Sequence, residues 1–206
     1  MSGIVVRERP NDISCAEQRP KACGIVIFGA SGDLTARKVV PALWNLYNRE
    51  LLSDEFFILG CARSDMDDGT FRERMASELD NSNGHDRTPF LKRLFYQAGN
   101  YDDPELYTRL DARLAELGCS PAGRGGHLFY LATPPELFHA IAENLDQAGL
   151  TTERPDGPYR RVVIEKPFGH DLTTAIELDR ELHDHLAESQ IYRIDHYLGK
   201  DTVRTL

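Results

Sequence analysis

The stretch Cys23–Leu34, CGIVIFGASGDL, decides how this chain folds. Ile25, Val26, Ile27 and Phe28 form a short β-branched and aromatic run, which predicts a strand buried on both faces. Gly29 ends the run and Gly32 follows it. Beyond Asp33 the apolar spacing turns helical, with Val40, Leu43, Trp44 and Tyr47 at i, i+3, i+4 and i+7. Strand, glycine turn and helix in that order open the dinucleotide site of a doubly wound sheet. The glycines let backbone approach a pyrophosphate, and N–H groups at the helix start face the anion. The match to G-x-G-x-x-G is incomplete, because Ser31 and Leu34 hold the second and third glycine places. Pro41 would clash with the carbonyl of Arg37 in a continuous helix, so a kink or a start near Val39 is expected.

Working outward, Phe56–Ala62 reads as the second strand, Thr70–Leu79 as a helix and Asn81–Thr88 as a loop. Leu94–Ala98 is the third strand, and Pro104–Leu117 a helix with Leu106, Leu110, Leu114 and Leu117 on one stripe. The glycine- and proline-rich Gly118–Gly126 separates this half from the next. His127–Ala132 is the fourth strand, followed by a helix marked by Leu137, Phe138, Ile141 and Leu145. Arg161–Glu165 is the fifth, and Asp171 caps a helix carrying Leu172, Ala175, Leu178, Leu182 and Leu186. Ile191–Ile194 makes the sixth. Strands alternating with helices predict an α/β fold, a doubly wound, mostly parallel Rossmann-type sheet with helices on both faces and right-handed crossovers. Residues 1–22 are polar and proline-punctuated, a loosely ordered leader before a domain at 23–200.

Composition narrows the function. Lys plus Arg number 24 against 33 Asp plus Glu, a net charge of −9 that argues against nucleic-acid binding. No apolar run approaches the ~18 residues of a membrane span, and the N-terminus lacks the apolar core of a secretory signal. Cys15, Cys23, Cys61 and Cys119 are too scattered for a CxxC metal site or an evident disulfide frame, and Cys23 and Cys61 read as small buried strand residues. A reducing cytoplasm is the expected location.

In a parallel doubly wound sheet, ligands gather at the carboxyl ends of the strands. There this sequence places the Gly29 turn, Arg63, the Thr133-Pro134-Pro135 loop, Lys166 and the segment Asp195–Lys200. NAD-binding sheets usually carry an acid at the end of the second strand, where it accepts from the ribose 2′-hydroxyl. Arg63 and Ser64 stand there instead, suited to the 2′-phosphate of NADP, unless Arg63 is spent on Asp65, Asp67 or Asp68. Lys166 could hold a sugar hydroxyl and orient a nicotinamide, and a cis bond before Pro167 would aim its turn inward. His196, Tyr197 and Lys200 together could bind a phosphate, while Asp195 could orient a histidine general base. His183 and His185 at i, i+2 point to different helix faces, and His85, His127, His139 and His170 have no ligand-like partners, so no metal site is expected.

Together, FGASGDLTARKVVPALWNLY (Phe28–Tyr47), GCARS (Gly60–Ser64), FYLATPP (Phe129–Pro135), EKPFGHDL (Glu165–Leu172) and RIDHYLGKDTV (Arg193–Val203) resemble the glucose-6-phosphate dehydrogenases. RIDHYLGK is the most specific of these, and the likeness spans about residues 23–206. The resemblance implies an NADP-dependent oxidoreductase converting glucose 6-phosphate at C1 to 6-phosphogluconolactone, the entry to the pentose phosphate pathway. It implies that Gly29, Ala30, Ser31, Gly32, Asp33, Leu34, Thr35 and Ala36 hold the cofactor, with Arg63 on the adenosine phosphate and Lys38 near the reacting groups. Lys166 would touch substrate and nicotinamide, His196, Tyr197 and Lys200 the 6-phosphate, and Asp195 the catalytic histidine. Phe138 stands where some members carry a tyrosine near the cofactor.

The family's general base is a histidine further along, in a large α+β domain that also carries much of the substrate pocket and the homo-oligomer interface. This sequence stops at Leu206, with 201–206 as the expected start of that domain, so the second domain is expected to be absent. Losing a general base typically costs ~10²–10⁴-fold in rate, which predicts negligible turnover by these residues alone. Two other readings are a dehydrogenase of an unphosphorylated sugar, against which His196, Tyr197 and Lys200 argue, and a non-catalytic NADP-binding module or partner subunit.

Overall fold

The computed structural model describes residues 21–79, 84–118, 125–153 and 157–194. Its strands are β1 (Cys23–Phe28), β2 (Phe56–Ala62), β3 (Leu94–Ala98), β4 (Gly126–Leu131), β5 (Arg160–Glu165) and β6 (Ile191–Ile194). Its helices are α1 (Val40–Asn48), α2 (Asp68–Glu78), α3 (Thr88–Leu91), α4 (Pro104–Leu117), α5 (Phe138–Gln147) and α6 (Leu172–His183). The strands form one sheet in the order β3-β2-β1-β4-β5-β6, and every pairing is parallel. This is the doubly wound arrangement expected from the alternating pattern. No described helix is long and apolar enough to cross a membrane.

Side-chain alternation sends each strand's residues to two opposite cores. Val26, Phe28, Leu59, Cys61, Phe129, Leu131, Val162 and Ile164 pack with Leu106 and Leu110 of α4, Ile141 and Leu145 of α5, and Leu178 and Leu182 of α6. Ile25, Ile27, Phe56, Ile58 and Leu94 pack with Val40 and Trp44 of α1, Phe71 and Met75 of α2, and Phe90 of α3. β1 is enclosed from both sides, as its unbroken apolar run requires. Fully burying one such side chain stabilises the fold by about 1.5–3 kcal/mol.

Local signals set the element ends. α2 starts at Asp68 rather than Thr70 because Asp67 is the cap, accepting from Thr70 N at 2.7 Å. Asp103 caps α4, with Pro104 in its first turn, and Asp171 caps α6 in a reciprocal pair with Thr174. Ahead of Pro41 the chain makes a wide π turn over Thr35–Val39, in which Val40 N donates to Thr35 O. This is the break that the proline demanded. The loop expected over Asn81–Thr88 gives way at Thr88 to the single turn α3, which Pro89 opens. The expected stripe on α6 needs correction: Leu172 is 76% exposed, whereas Leu178 and Leu182 are buried. Leu172 lies roughly 120° around the helix from Leu178, off the face that meets the sheet. Cys61 is buried, while Cys23 is only half-buried at the sheet's far edge.

Candidate dinucleotide site

Because every strand runs the same way, their carboxyl ends share one edge. β2 lies on one side of β1 and β4 on the other, so the turn after β1 sits where the strand order reverses, the usual place for a ligand in this architecture. Gly29 adopts φ +84°, and a Cβ there would fall 2.3 Å from the carbonyl oxygen of Ala132. Only glycine fits this position. Its N–H donates to Cys61 O at 2.9 Å and to Tyr101 Oη at 3.0 Å; Ala30 N also donates to Cys61 O, and Gly32 N to Gly29 O. Thr35 is fully buried and its hydroxyl donates back to Gly29 O at 3.1 Å, tying the helix start to the strand end. Among the described residues no carbonyl takes the N–H of Ser31, Asp33 or Leu34. Those first-turn amides are the donors left for a phosphate.

Two further features suit the pocket to a dinucleotide. Thr133, at the end of β4 beside Gly29, has an enclosed hydroxyl that finds no hydrogen-bond partner. Tyr101, just past β3, supports Gly29 N and packs edge-on against Phe28, and its own carbonyl accepts from Tyr107 Oη at 2.7 Å. Burial, with Cys61 adding to it, pushes the Tyr101 hydroxyl up to about 12, opposed by the Gly29 N–H and by Arg63, so it stays a neutral donor. Thr133 belongs to the loop that the sequence places at this edge, whereas Tyr101 was not legible as a site residue. Tyr101 lies 72 residues from Gly29 in sequence, and no local pattern announces a pairing of that range.

Arg63 follows β2 directly and is exposed at this edge. Two of the three acids that could have neutralised it are engaged elsewhere. Asp67 holds the start of α2, and Asp68 pairs with Arg72 and Arg113 while accepting from Tyr96 N. Among the described residues Arg63 makes no ion pair with any of them.

Lys38 extends from the π turn into a groove of about 620 Å³ shared with Leu34, Tyr130, Val163, Glu165 and Ile194. The groove runs over the face of β4, β5 and β6 opposite α5 and α6. Tyr130 donates a hydrogen bond to Glu165 Oε1; burial and this carboxylate both push its hydroxyl well above the ordinary tyrosine range. Lys166 follows Glu165, is exposed, and is joined to Pro167 by a cis peptide. The fold thus brings together Gly29–Ala36, Lys38, Arg63 and the β5 end that carries Lys166. Asp195, His196, Tyr197 and Lys200 lie outside the described residues. No group of three or more His, Cys, Asp or Glu suited to a metal occurs among the described residues.

Comparison with known proteins agrees with this geometry. The family model described as "Glucose-6-phosphate dehydrogenase, NAD binding domain" matches residues 26–205. The glucose-6-phosphate 1-dehydrogenase of Aggregatibacter actinomycetemcomitans is 47% identical over 187 residues, covering 89% of this chain and 37% of that protein. That of Chlamydia pneumoniae is 43% identical over 194 residues, again 89% of this chain and 37% of the relative. A solved glucose-6-phosphate dehydrogenase in complex with glucose-6-phosphate superposes with TM-score 0.82 at 37% identity, covering 91% of this chain and 39% of that one. The chain therefore spans well under half the length of the proteins it matches. With its glycine turn at the strand-order reversal and this continuous match from β1 onward, the chain belongs to the glucose-6-phosphate dehydrogenase family, whose dinucleotide-binding domain it carries.

Proposed function

We propose that this chain is the NADP-binding portion of an enzyme that oxidises glucose 6-phosphate at C1 to 6-phosphogluconolactone. NADP, when bound, supplies the hydride acceptor for that oxidation. The observation that carries the choice of cofactor is Arg63: a guanidinium stands at the end of β2, where an NAD site carries an acid, and it makes no ion pair among the described residues, Asp67 and Asp68 being taken by other groups. In this reading the free amides of Ser31, Asp33 and Leu34 hold the pyrophosphate, and Arg63 holds the 2′-phosphate. A charge-assisted contact of this kind contributes roughly 1.5–3 kcal/mol.

Lys38 and Lys166 would orient the sugar on the groove side of the site. His196, Tyr197 and Lys200 would take its 6-phosphate, and Asp195 would hold the tautomer of a histidine base. The likeness to a dehydrogenase solved with glucose-6-phosphate supports this substrate. Residues 23–200 would form the binding domain, with 201–206 leading into a substrate and oligomerisation domain that completes the enzyme in the cytoplasm. A second reading, a non-catalytic NADP-binding module, is favoured by the open groove over β4–β6, which leaves the sugar side incomplete among the described residues.

Calorimetric titration of the 206-residue chain with NADP and NAD, followed by an NADPH absorbance assay with glucose 6-phosphate, tests these readings. We expect NADP to bind more tightly than NAD, with negligible turnover. Equal affinities would overturn the NADP assignment, and binding of neither would overturn the dinucleotide site. A clear absorbance rise proportional to purified chain would overturn the inert-fragment reading.

A further inference from the structure

The glycine turn has a neighbour that no motif singles out. Arg74, on the exposed side of α2, donates from Nη2 to the carbonyl oxygen of Ser31 at 2.7 Å, across 43 residues of sequence. Ser31 is the middle of the glycine turn and bears one of the amides left for a phosphate. The same arginine also acts on Tyr96, whose hydroxyl is pushed up to about 12 by burial first and by the charges of Cys61 and Tyr101, with Arg74 opposing. Tyr96 Oη in turn donates to Ser64 O at 2.7 Å, one residue beyond Arg63. Arg74 is therefore anchored to the turn, and Tyr96, which feels its charge, is bound to the end of β2; turn and strand end are the two segments that face the adenosine half of a dinucleotide in this fold.

Its charge is uncommitted. Among the described residues Arg74 pairs with no carboxylate, although its own helix carries Asp68, Glu73 and Glu78. A guanidinium has five N–H donors in a planar fork, and Ser31 O takes one. The rest of the fork remains for an anion, and planar, bidentate recognition of phosphate is what arginine does best.

We propose that Arg74 is a second guanidinium of the adenosine-phosphate subsite, opposite Arg63, and a specificity-determining residue that selects NADP over NAD. This rests on the dinucleotide reading above. The rival role is a clamp that only holds Ser31 O and shapes the turn. The two differ in a measurable way: a clamp serves both nucleotides alike, whereas a phosphate ligand serves only the one with a 2′-phosphate.

The experiment is calorimetric titration of the 206-residue chain and its Arg74→Gln, Arg74→Lys and Arg63→Gln variants with NADP and with NAD, the fold of each checked by circular dichroism. For Arg74→Gln we expect NADP affinity to fall about tenfold or more, with NAD affinity within about twofold of the parent. Arg74→Lys keeps the charge and should retain most of the NADP preference at low salt. Equal losses for both nucleotides would reduce Arg74 to a clamp, and no loss for either would remove it from the site; both overturn the proposal. If Arg63→Gln abolishes the preference while Arg74→Gln leaves it intact, the NADP reading survives and this inference fails. If the parent chain binds neither nucleotide, both fall.

Discussion

In the β3-β2-β1 half of the sheet, helices close both faces; in the β4-β5-β6 half, α5 and α6 close one face and the described residues leave the other open. Every residue of β2 is buried, whereas β4 has half-buried positions at His127, Leu128 and Tyr130, and Tyr192 of β6 is 53% exposed. The contrast follows from chemistry as well as packing. The closed half ends in the glycine turn and Arg63, with Arg74 of α2 bound to the turn at Ser31 O. The open half ends in Lys38, Glu165 and Lys166 along an apolar groove. That half sets charged side chains along an apolar surface that the described residues leave open.

The seam between the halves is where the comparison can be broken most sharply. Gly29→Ala would drive a Cβ to 2.3 Å from Ala132 O while holding φ at +84°. We expect a loss of about 3–5 kcal/mol in urea unfolding, with dinucleotide binding abolished. A loss below about 1 kcal/mol would mean that β1 and β4 are less tightly joined than their pairing indicates.

Acid should act first on the open half. Burial, and secondarily Arg160, lower the His127 pKa to about 4, and its Nδ1 has no partner. Above the ordinary value of about 6.5 this histidine is neutral folded or unfolded and does not alter stability. As pH falls from about 6.5 to 4, the unfolded chain takes up a proton that the folded chain refuses, and up to about 3 kcal/mol of stability is lost. The loss levels off below that range. His127→Phe should flatten this window in pH-dependent unfolding. The exposed capping carboxylates Asp67 and Asp171, whose pKa values are lowered by their Thr70 and Thr174 amides, lose their contribution at lower pH, below the unfolded carboxylate range. An unchanged slope in His127→Phe would exclude the histidine as its source.

The smallest effect, at Leu128, separates the halves when set against a closed-half position. Ile58→Ala, at a fully buried position of β2, should cost about 2–5 kcal/mol. Leu128→Ala, at a half-buried groove position of β4, should cost roughly 1 kcal/mol. Equal costs in parallel denaturation curves would show that the groove face is as well packed as the closed half.

Much of this was readable before any coordinates. β3, α4 and β6 fall on their expected residues, and Asp171 caps α6 as its side chain predicts. These features are local: a strand's alternation, a helix's stripe and a cap's hydrogen bond are decided within a few residues. The glycine turn and Arg63 were legible for the same reason, since each is defined by its place at a strand's end. Leu172 misled because an apolar residue near a stripe resembles one within it, and only the sheet's position sets where the buried face ends.

By itself, then, the chain's order of residues determined a strand–turn–helix alternation, a glycine turn after the first strand and a cation at the second strand's end. Tertiary structure alone decided that β4 lies beside β1, that Tyr101 and Thr133 flank the turn, and that Arg74 reaches Ser31. It also brought Lys38 and Glu165 into one groove. The physical reason is range. Backbone periodicity says which way a side chain points, but partners 43 or 72 residues apart meet only when strand order and crossover packing put them at the same edge.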